Sequence, residues 1–570
     1  MRINVHAHVF TLRTILSREA VRVITQRLRD RGVRGFLVDA VEFMLDDFLE
    51  KPQHLDEREL LARLLTKLTG IGSFSDFLEE NLGRLPLAVV IRGGGLDGLP
   101  ADVLQTALDN ISSVIAEKDG VGKSPFDIVQ ALRYAMKSTI TEVADQLLDT
   151  MDHDDALVAL MMDIHAPDEP ERDQENFRLQ VSGTQEAALQ RPGRVLPFFG
   201  LHPGRSDHFD LMKEAVEERG FLGVKLYPSL GYEVDDPALL KVYEYCLEKD
   251  VPVLLHCGHG GFYRRQEFID YCNPDHWIPV LQGDLSELRV CFAHFGGWQS
   301  LGRPDGLDPG TWGCTILDLM RDKPNVFTDL AYHTDQMRDA ADEQHYFTKL
   351  AELLRDARLQ KRILFGTDSW LLRLDMADVV YWRYFQHHMT AGDFDTIAGR
   401  APRLFVGFPE AAGQPLRANL QRYVDYMTAH REEVGAEPAA WLAEAVDLDF
   451  VASRSAAQWN YDTHAVRCTY QFAKDLMSNA QKAKGFKVNR ALQLRDLSYW
   501  RPRDPNFDGI CQHNARLLLA FCRQIADYAR GYDEVGAMSV CTDVFRRGEK
   551  ALVDLAAVLD SIFAFTRRMS

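Results

Sequence analysis

The chain reads as an α/β protein built on a (β/α)8 barrel, with a large helical insertion after the first strand and a helical C-terminal extension. Three observations predict this. From about residue 155 to 407, short apolar runs alternate with amphipathic stretches at βα spacing. The N-terminal run Arg2 to Val5 adds one strand to the seven found there, and eight parallel strands are the usual closed solution. Several runs end in histidine or aspartate, as expected where barrel strands open at their C-terminal rim.

The seven later strands are read as Ala156 to His165, Val195 to Leu201, Leu222 to Tyr227, Val251 to His256, Arg289 to His294, Val326 to Leu330 and Arg362 to Thr367. Helical patterns separate them, among them Pro237 to Lys249, opened by the helix-start signal Asp235-Asp236-Pro237, and Gln344 to Arg355. The barrel thus takes residues 1–10 and 155–407. Residues 11–154 form an insertion, mostly helical, with Leu104, Leu108, Ile111 and Ile115 on one apolar face. Leaving a strand's C-terminal end, it is expected to cap or wall the active-site mouth. After Arg400-Ala-Pro-Arg-Leu-Phe the alternation stops, and residues 408–570 carry long helical patterns, including Asn514 to Arg530 and Val544 to Arg568.

A chain of 570 residues exceeds what one core usually supports, and 46% hydrophobic with 26% charged residues is the balance of a folded globular protein. Lys and Arg number 65 against 84 Asp and Glu, and the formal charge of −19 disfavours nucleic acid or anionic lipid as partner. The nine cysteines include no C-x-x-C, so neither a disulfide framework nor a cysteine zinc site is indicated. Apolar runs such as Val251 to Leu255 fall far short of the roughly 20 residues of a membrane span. The N-terminus enters a strand without a basic, then apolar, leader. The expectation is a cytoplasmic protein acting on a small molecule, with no nucleic-acid or membrane partner and with homo-oligomerisation left open.

His6 and His8 close the first strand as His-x-His, and side chains at i and i+2 share a face, so both imidazoles can aim at one point in the barrel mouth. His256 ends Val-Pro-Val-Leu-Leu-His and His294 ends Arg-Val-Cys-Phe-Ala-His, each followed closely by glycine. Asp368 follows Arg-Ile-Leu-Phe-Gly-Thr, where a carboxylate is costly unless paired or bound to a cation. Lys225, within Gly-Val-Lys-Leu-Tyr-Pro, is another charge in an apolar run. Singly, each fits a satisfied core polar residue; six together at strand ends fit a metal-dependent active site. His202, Arg205, Tyr227, His259 and His333 lie at or just beyond strand ends and are candidates for lining the pocket.

Asn4-Val-His-Ala-His, Gly223-Val-Lys-Leu-Tyr-Pro, Leu255-His-Cys-Gly, Ala293-His-Phe-Gly-Gly, Gly366-Thr-Asp and Ala401-Pro-Arg-Leu-Phe, in this order, resemble the amidohydrolase superfamily. The likeness is to its amidohydrolase-related branch of TIM-barrel hydrolases and of decarboxylases of aromatic and muconate-type acids, and it covers residues 1–10 and 155–407. It implies that His6, His8 and Asp368 ligate a first divalent metal. His256 and His294 then serve either a second ion, with a carboxylated Lys225 as bridge, or the first ion and its surroundings. In the mononuclear case His6, His8, His256 and Asp368 bind the ion and His294 is proton donor or oxyanion partner. Imidazole and carboxylate suit zinc, with manganese as alternative, and an open coordination position lets the metal acidify a bound water. Asp368 then takes the nucleophile's proton and returns it to the leaving group.

Gly93, Gly95 and Gly98 satisfy G-x-G-x-x-G, but Pro100 and the lack of a second strand at βαβ spacing argue against a dinucleotide site. Gly122-Lys-Ser lacks the earlier glycine of a phosphate loop, Glu117 standing there. The function expected is hydrolysis of a C–N or C–O bond in an amide, cyclic amide or lactone. The alternatives are a non-oxidative decarboxylase or lyase on the same site, for which Arg205 or Arg264 would meet an acidic substrate, and a barrel kept as a binding scaffold.

Overall fold

The computed structural model describes residues 1–30, 35–50, 134, 137–148, 150–151, 155–376, 378–411, 413–435 and 438–446. The chain divides into two units, residues 1–148 with 154–449, and residues 149–153 with 450–570. The first holds everything described below. The helical readings at Leu104 to Ile115, Asn514 to Arg530 and Val544 to Arg568, and the glycine motifs at Gly93 and Gly122, lie outside the described residues.

Eight strands form one parallel sheet in sequential order: β1 (Ile3–His8), β2 (Ala156–Leu160), β3 (Val195–Leu201), β4 (Gly223–Leu226), β5 (Val253–Leu255), β6 (Val290–Phe292), β7 (Val326–Asp329) and β8 (Ile363–Leu364). The ladder returns on itself where Val5 N donates to Phe365 O at 3.1 Å and Asp368 N to His6 O at 2.7 Å. Asn4 completes the seam: its Nδ2 donates to Thr367 Oγ1 at 2.8 Å, and its Oδ1 accepts from Thr367 N at 3.0 Å and His6 N at 3.2 Å. This is the (β/α)8 barrel that the sequence predicts, with helical additions. The strands are buried throughout, as both faces of a parallel sheet must be when helices cover the outside.

Helices Pro170–Gln190, His208–Glu218, Pro237–Glu248, Trp312–Asp322 and Ala340–Leu353 make the main crossovers. Asp236 caps the third, accepting from Ala238 N at 2.8 Å with Pro237 at the first helical position, as its sequence signal predicts. Between β1 and β2 the described residues include helices Leu12–Ile15, Arg18–Asp30, Gly35–Glu50 and Ile140–Leu148. Beyond the barrel, helices Ala418–Ala429 and Ala440–Val446 follow.

Only β3 keeps the bounds read from the sequence; β4 to β8 are shorter than read by one to four residues, and β1 and β2 differ for identifiable reasons. β1 runs on to His8, because pairing with β2 shifts register between Asn4 and Ala7 and then resumes at Ala7 and His8, Val9 N still donating to Leu160 O at 3.2 Å. β2 ends at Leu160, not His165, because the Gln180 side chain takes over the Met162 backbone: its Oε1 accepts from Met162 N at 2.7 Å and its Nε2 donates to Met162 O at 3.0 Å. Among the described residues no helix is long and apolar enough to cross a membrane.

Candidate metal centre

Asn4, His6 and His8 alternate on β1 with Ile3, Val5 and Ala7, so the three polar side chains share one face. The backbone of β8 must come close for Asp368 to meet them, and Gly366 permits it: a Cβ there would stand 2.5 Å from His6 Cβ. Asp368 itself adopts φ 54°, a left-handed turn that ends the strand and brings its carboxylate inward. Its Oδ1 lies 4.0 Å from His6 Nε2 and 3.8 Å from His8 Nε2, is buried, and has no hydrogen-bond partner. Ligand atoms of His6, His8 and Asp368 all lie within 4.8 Å of one another, as do those of His6, His294 and Asp329.

His256 and His294 stand opposite, with His294 Nε2 3.0 Å from His256 Nδ1. His256 Nε2 is 2.8 Å from Gly260 O and His294 Nδ1 is 2.9 Å from Ala331 O. Carbonyl oxygens only accept, so each ring carries its proton there when neutral. The two remaining lone pairs then face each other at 3.0 Å. Burial holds His294 down at about 3 and His6, His8 and His256 well below the ordinary imidazole value, with Lys225's charge adding to the effect. Protonation is therefore disfavoured, and converging neutral imidazoles with an unpartnered carboxylate oxygen form a donor set that fits a divalent cation.

Lys225 Nζ lies 3.5 Å from His6 Nε2 and 5.5 Å from the centre of the Tyr227 ring. Burial lowers its ammonium below the usual range, against the pull of Asp329 and Asp368. Burial raises the Asp368 carboxyl far above the carboxylate range, against the pull of Lys225 and with added repulsion from Asp329.

Sequence reasoning missed Asp329, at the end of β7. Its Oδ2 is 2.9 Å from His6 Nδ1, and its Oδ1 accepts from His294 N at 2.9 Å and Ala331 N at 3.0 Å. The signal was present: an aspartate inside Val-Phe-Thr-Asp-Leu is as anomalous as Asp368 after Phe-Gly-Thr. Tyr134, preceding the Ile140–Leu148 helix, was missed too. Its hydroxyl donates to His8 O at 3.3 Å, and Arg373 covers its ring at 4.2 Å.

The five pocket candidates separate. Tyr227 is in the centre, stacked on His256 at 4.2 Å and 7°, its hydroxyl accepting from Phe262 N at 2.9 Å. His202 is buried beside Tyr232, its Nδ1 accepting from Gly204 N at 3.0 Å and its Nε2 without a hydrogen-bond partner. His259 stacks on Trp312 at 3.8 Å. Arg205 is engaged by Asp163 at 2.7 Å and Asp173 at 2.9 Å, and lies over the Phe177 ring. His333 donates from Nε2 to His294 O at 2.8 Å, while its Nδ1 accepts from Tyr346 at 2.7 Å. Arg205 and His333 thus spend their polar atoms inside the protein, His333 on the backbone of a centre residue.

The amidohydrolase family model matches residues 137–408. This range takes in β2 to β8, and β1 with its histidine pair joins it through the seam described above. No curated protein matches the sequence. Among solved structures, the chain is similar to 2,6-dihydroxybenzoate decarboxylase from Rhizobium, at 16% identity over 46% of this chain and 87% of that one, TM-score 0.33. It is also similar to 4-oxalomesaconate hydratase from Rhodopseudomonas palustris, at 12% identity over 76% and 100%, TM-score 0.36. An amidohydrolase from Burkholderia multivorans matches at 16% identity over 45% and 84%, TM-score 0.31. Residues 137–408, just under half of the chain, thus match the amidohydrolase family, and the barrel with its buried histidine–aspartate cluster suited to a divalent metal supports a catalytic activity of the amidohydrolase type.

Proposed function

We propose that the protein hydrolyses a C–N or C–O bond of a small molecule, an amide, cyclic amide or lactone. The observation that carries the reading is Asp368 Oδ1: buried, without a hydrogen-bond partner, between His6 and His8, on a carboxyl whose affinity for protons burial has raised. Such a group can accept the proton of an attacking water and hand it to the departing nitrogen or oxygen near neutral pH. His6, His8, His256 and Asp368 would hold a divalent ion, zinc or manganese. A bound ion supplies Lewis acidity that makes water a better nucleophile and offsets negative charge developing on a substrate oxygen. His294, fixed through Nδ1 on Ala331 O and through its backbone N on Asp329, keeps Nε2 turned into the site to meet that oxygen or relay a proton. Tyr227, flat against His256, walls one side.

The barrel at residues 1–10 and 155–407, the insertion at 11–154 and the extension at 408–570 are read as catalytic body, mouth and appendage. The test is a panel of small amides, cyclic amides and lactones given to zinc-loaded and manganese-loaded protein in ¹⁸O-labelled water. Label in the carboxylate product, lost in Asp368→Asn, supports hydrolysis. Release of carbon dioxide from carboxylic acids without label uptake replaces it with the decarboxylase reading.

A further inference from the structure

The helix Arg18–Asp30, first long element after β1, docks on the loop that leaves β5 beyond His256. Glu19 Oε1 is 2.9 Å from Arg264 Nε, and Asp30 Oδ2 accepts from the Tyr263 hydroxyl at 2.6 Å. Between these two ties, the Arg27 guanidinium lies against Gly260: a Cβ on that glycine would stand 3.4 Å from Nη2 and 3.6 Å from Nη1. At 100° per residue, positions 19, 27 and 30 fall within about 80° of one another around the helix, so one face makes all three contacts.

Gly260 and Gly261 bring the loop into the site. Gly260 O receives the Nε2 proton of His256, and Gly261, at φ 91°, passes so close to the His256 ring that a Cβ would be 2.6 Å from Cε1. Arg27 is therefore separated from a metal-centre histidine by one residue's backbone, and its charge is felt by Asp368 and Tyr227.

Three neighbouring arginines are matched. Arg22 pairs with Glu19 at 2.6 Å, Arg29 with Glu42 at 2.6 Å, and Arg264 is held by Glu19 and by His165 O. Arg205, like Arg264 an expected anchor for an acidic substrate, is spent on Asp163 and Asp173. Among the described residues no hydrogen bond or ion pair engages Arg27, and its Nε is buried without a partner. A half-buried guanidinium that no carboxylate among the described residues pairs with is open to an anion, and its flat fork matches a carboxylate better than a point charge would.

We infer that Arg27 is the specificity-determining residue that anchors a carboxylate of the substrate at the mouth of the site. This rests on the hydrolase reading for what happens to the rest of the molecule, and narrows it to amides or lactones bearing a free carboxylate. An insertion after β1, rather than a barrel loop, then selects the substrate, which gives its docking against the β5 loop a purpose.

The test needs neither turnover nor metal. Glutarate and its neutral isostere glutaramide are titrated into the full chain by calorimetry, metal-free and zinc-loaded, with wild type, Arg27→Gln and Arg27→Lys. Wild type should favour glutarate by about tenfold or more in both states, Arg27→Gln should lose that preference in the metal-free chain, and Arg27→Lys should keep part of it. Unchanged far-UV circular dichroism and melting separate loss of charge from loss of fold. Equal binding of the two compounds by wild type, no binding of either, or a glutarate preference that survives Arg27→Gln overturns the assignment. Glutarate binding that follows Arg27 while the panel shows no hydrolysis overturns the proposed reaction and leaves Arg27 in place.

Discussion

Asp329 Oδ2 lies 2.9 Å from Nδ1 of His6, and both side chains are fully buried. The carboxylate can only accept, so it fixes the His6 proton on Nδ1 and leaves the Nε2 lone pair turned to the centre, towards Asp368 and Lys225. The same carboxylate holds the backbone N–H of His294, so one side chain orients two centre residues. Asp329→Asn keeps the size but presents an N–H₂ or an amide oxygen of different charge to His6. Zinc affinity, read by competition with a chelator, should fall about 10- to 100-fold with the fold retained. Affinity within about twofold of wild type would mean that His6 needs no such partner.

Asp368→Asn separates binding from chemistry. The amide can still lie between His6 and His8 but cannot take a proton from water, so turnover on the best panel substrate should drop about 10²- to 10⁴-fold while KM changes little. His6→Ala should instead lose metal and activity together. If Asp368→Asn keeps near-normal turnover, the proton is carried elsewhere, and His294 is the next group to substitute.

The candidate centre was legible in the sequence because barrel strands are short apolar runs that open at the rim, so His6, His8, His256, His294 and Asp368, at or just beyond strand ends, stand out as polar residues where apolar ones are expected. The end of β2 could not be read because a distant side chain intervenes there, Gln180 at Met162. Conformation was equally hidden: His294 at φ 63° and Asp368 at φ 54° are turned by contacts with β7 and β1 that no local pattern encodes. Arg205 and His333 sit at strand ends for reasons of packing, and strand-end position alone does not distinguish an inward donor from a tie to a neighbouring backbone. Arg27 lies in a helix whose partner is some 230 residues further on, a pairing that periodicity does not contain.

The buried histidines predict an acid-sensitive metal-free protein. His6, His8, His256, His294, His202 and His333 all have imidazoles held below their unfolded value by burial. Below about pH 6.5 the unfolded chain takes up protons that the native chain refuses. Each such group costs about 1.4 kcal/mol of stability per pH unit until its native value is reached. Asp368, Asp163 and Asp378, raised by burial, work in the opposite sense over part of that range. Urea midpoints in the presence of a chelator should be level from pH 8 to 7 and fall steeply towards pH 5.5. A flat profile would show that these rings are solvated in the metal-free state.

Charge counting in the centre predicts the number of ions. Asp329 and Asp368 bring two negative charges and Lys225 one positive, so a single dication leaves the buried site at about +1 and a second would leave it at about +3, which low dielectric does not tolerate. Carboxylation of Lys225 by carbon dioxide replaces its positive charge with a negative one and restores about +1 with two ions. Its lowered ammonium value makes the free amine that this reaction requires more available than on an ordinary lysine. Elemental analysis should therefore find one zinc or manganese per chain in carbon-dioxide-free buffer, and a second only with bicarbonate. Lys225→Met should keep the first ion and lose any bicarbonate-dependent one. Two ions without bicarbonate, or a second ion that survives Lys225→Met, would require another acidic ligand in the centre. No ion under any supplement would remove the basis of the hydrolytic reading.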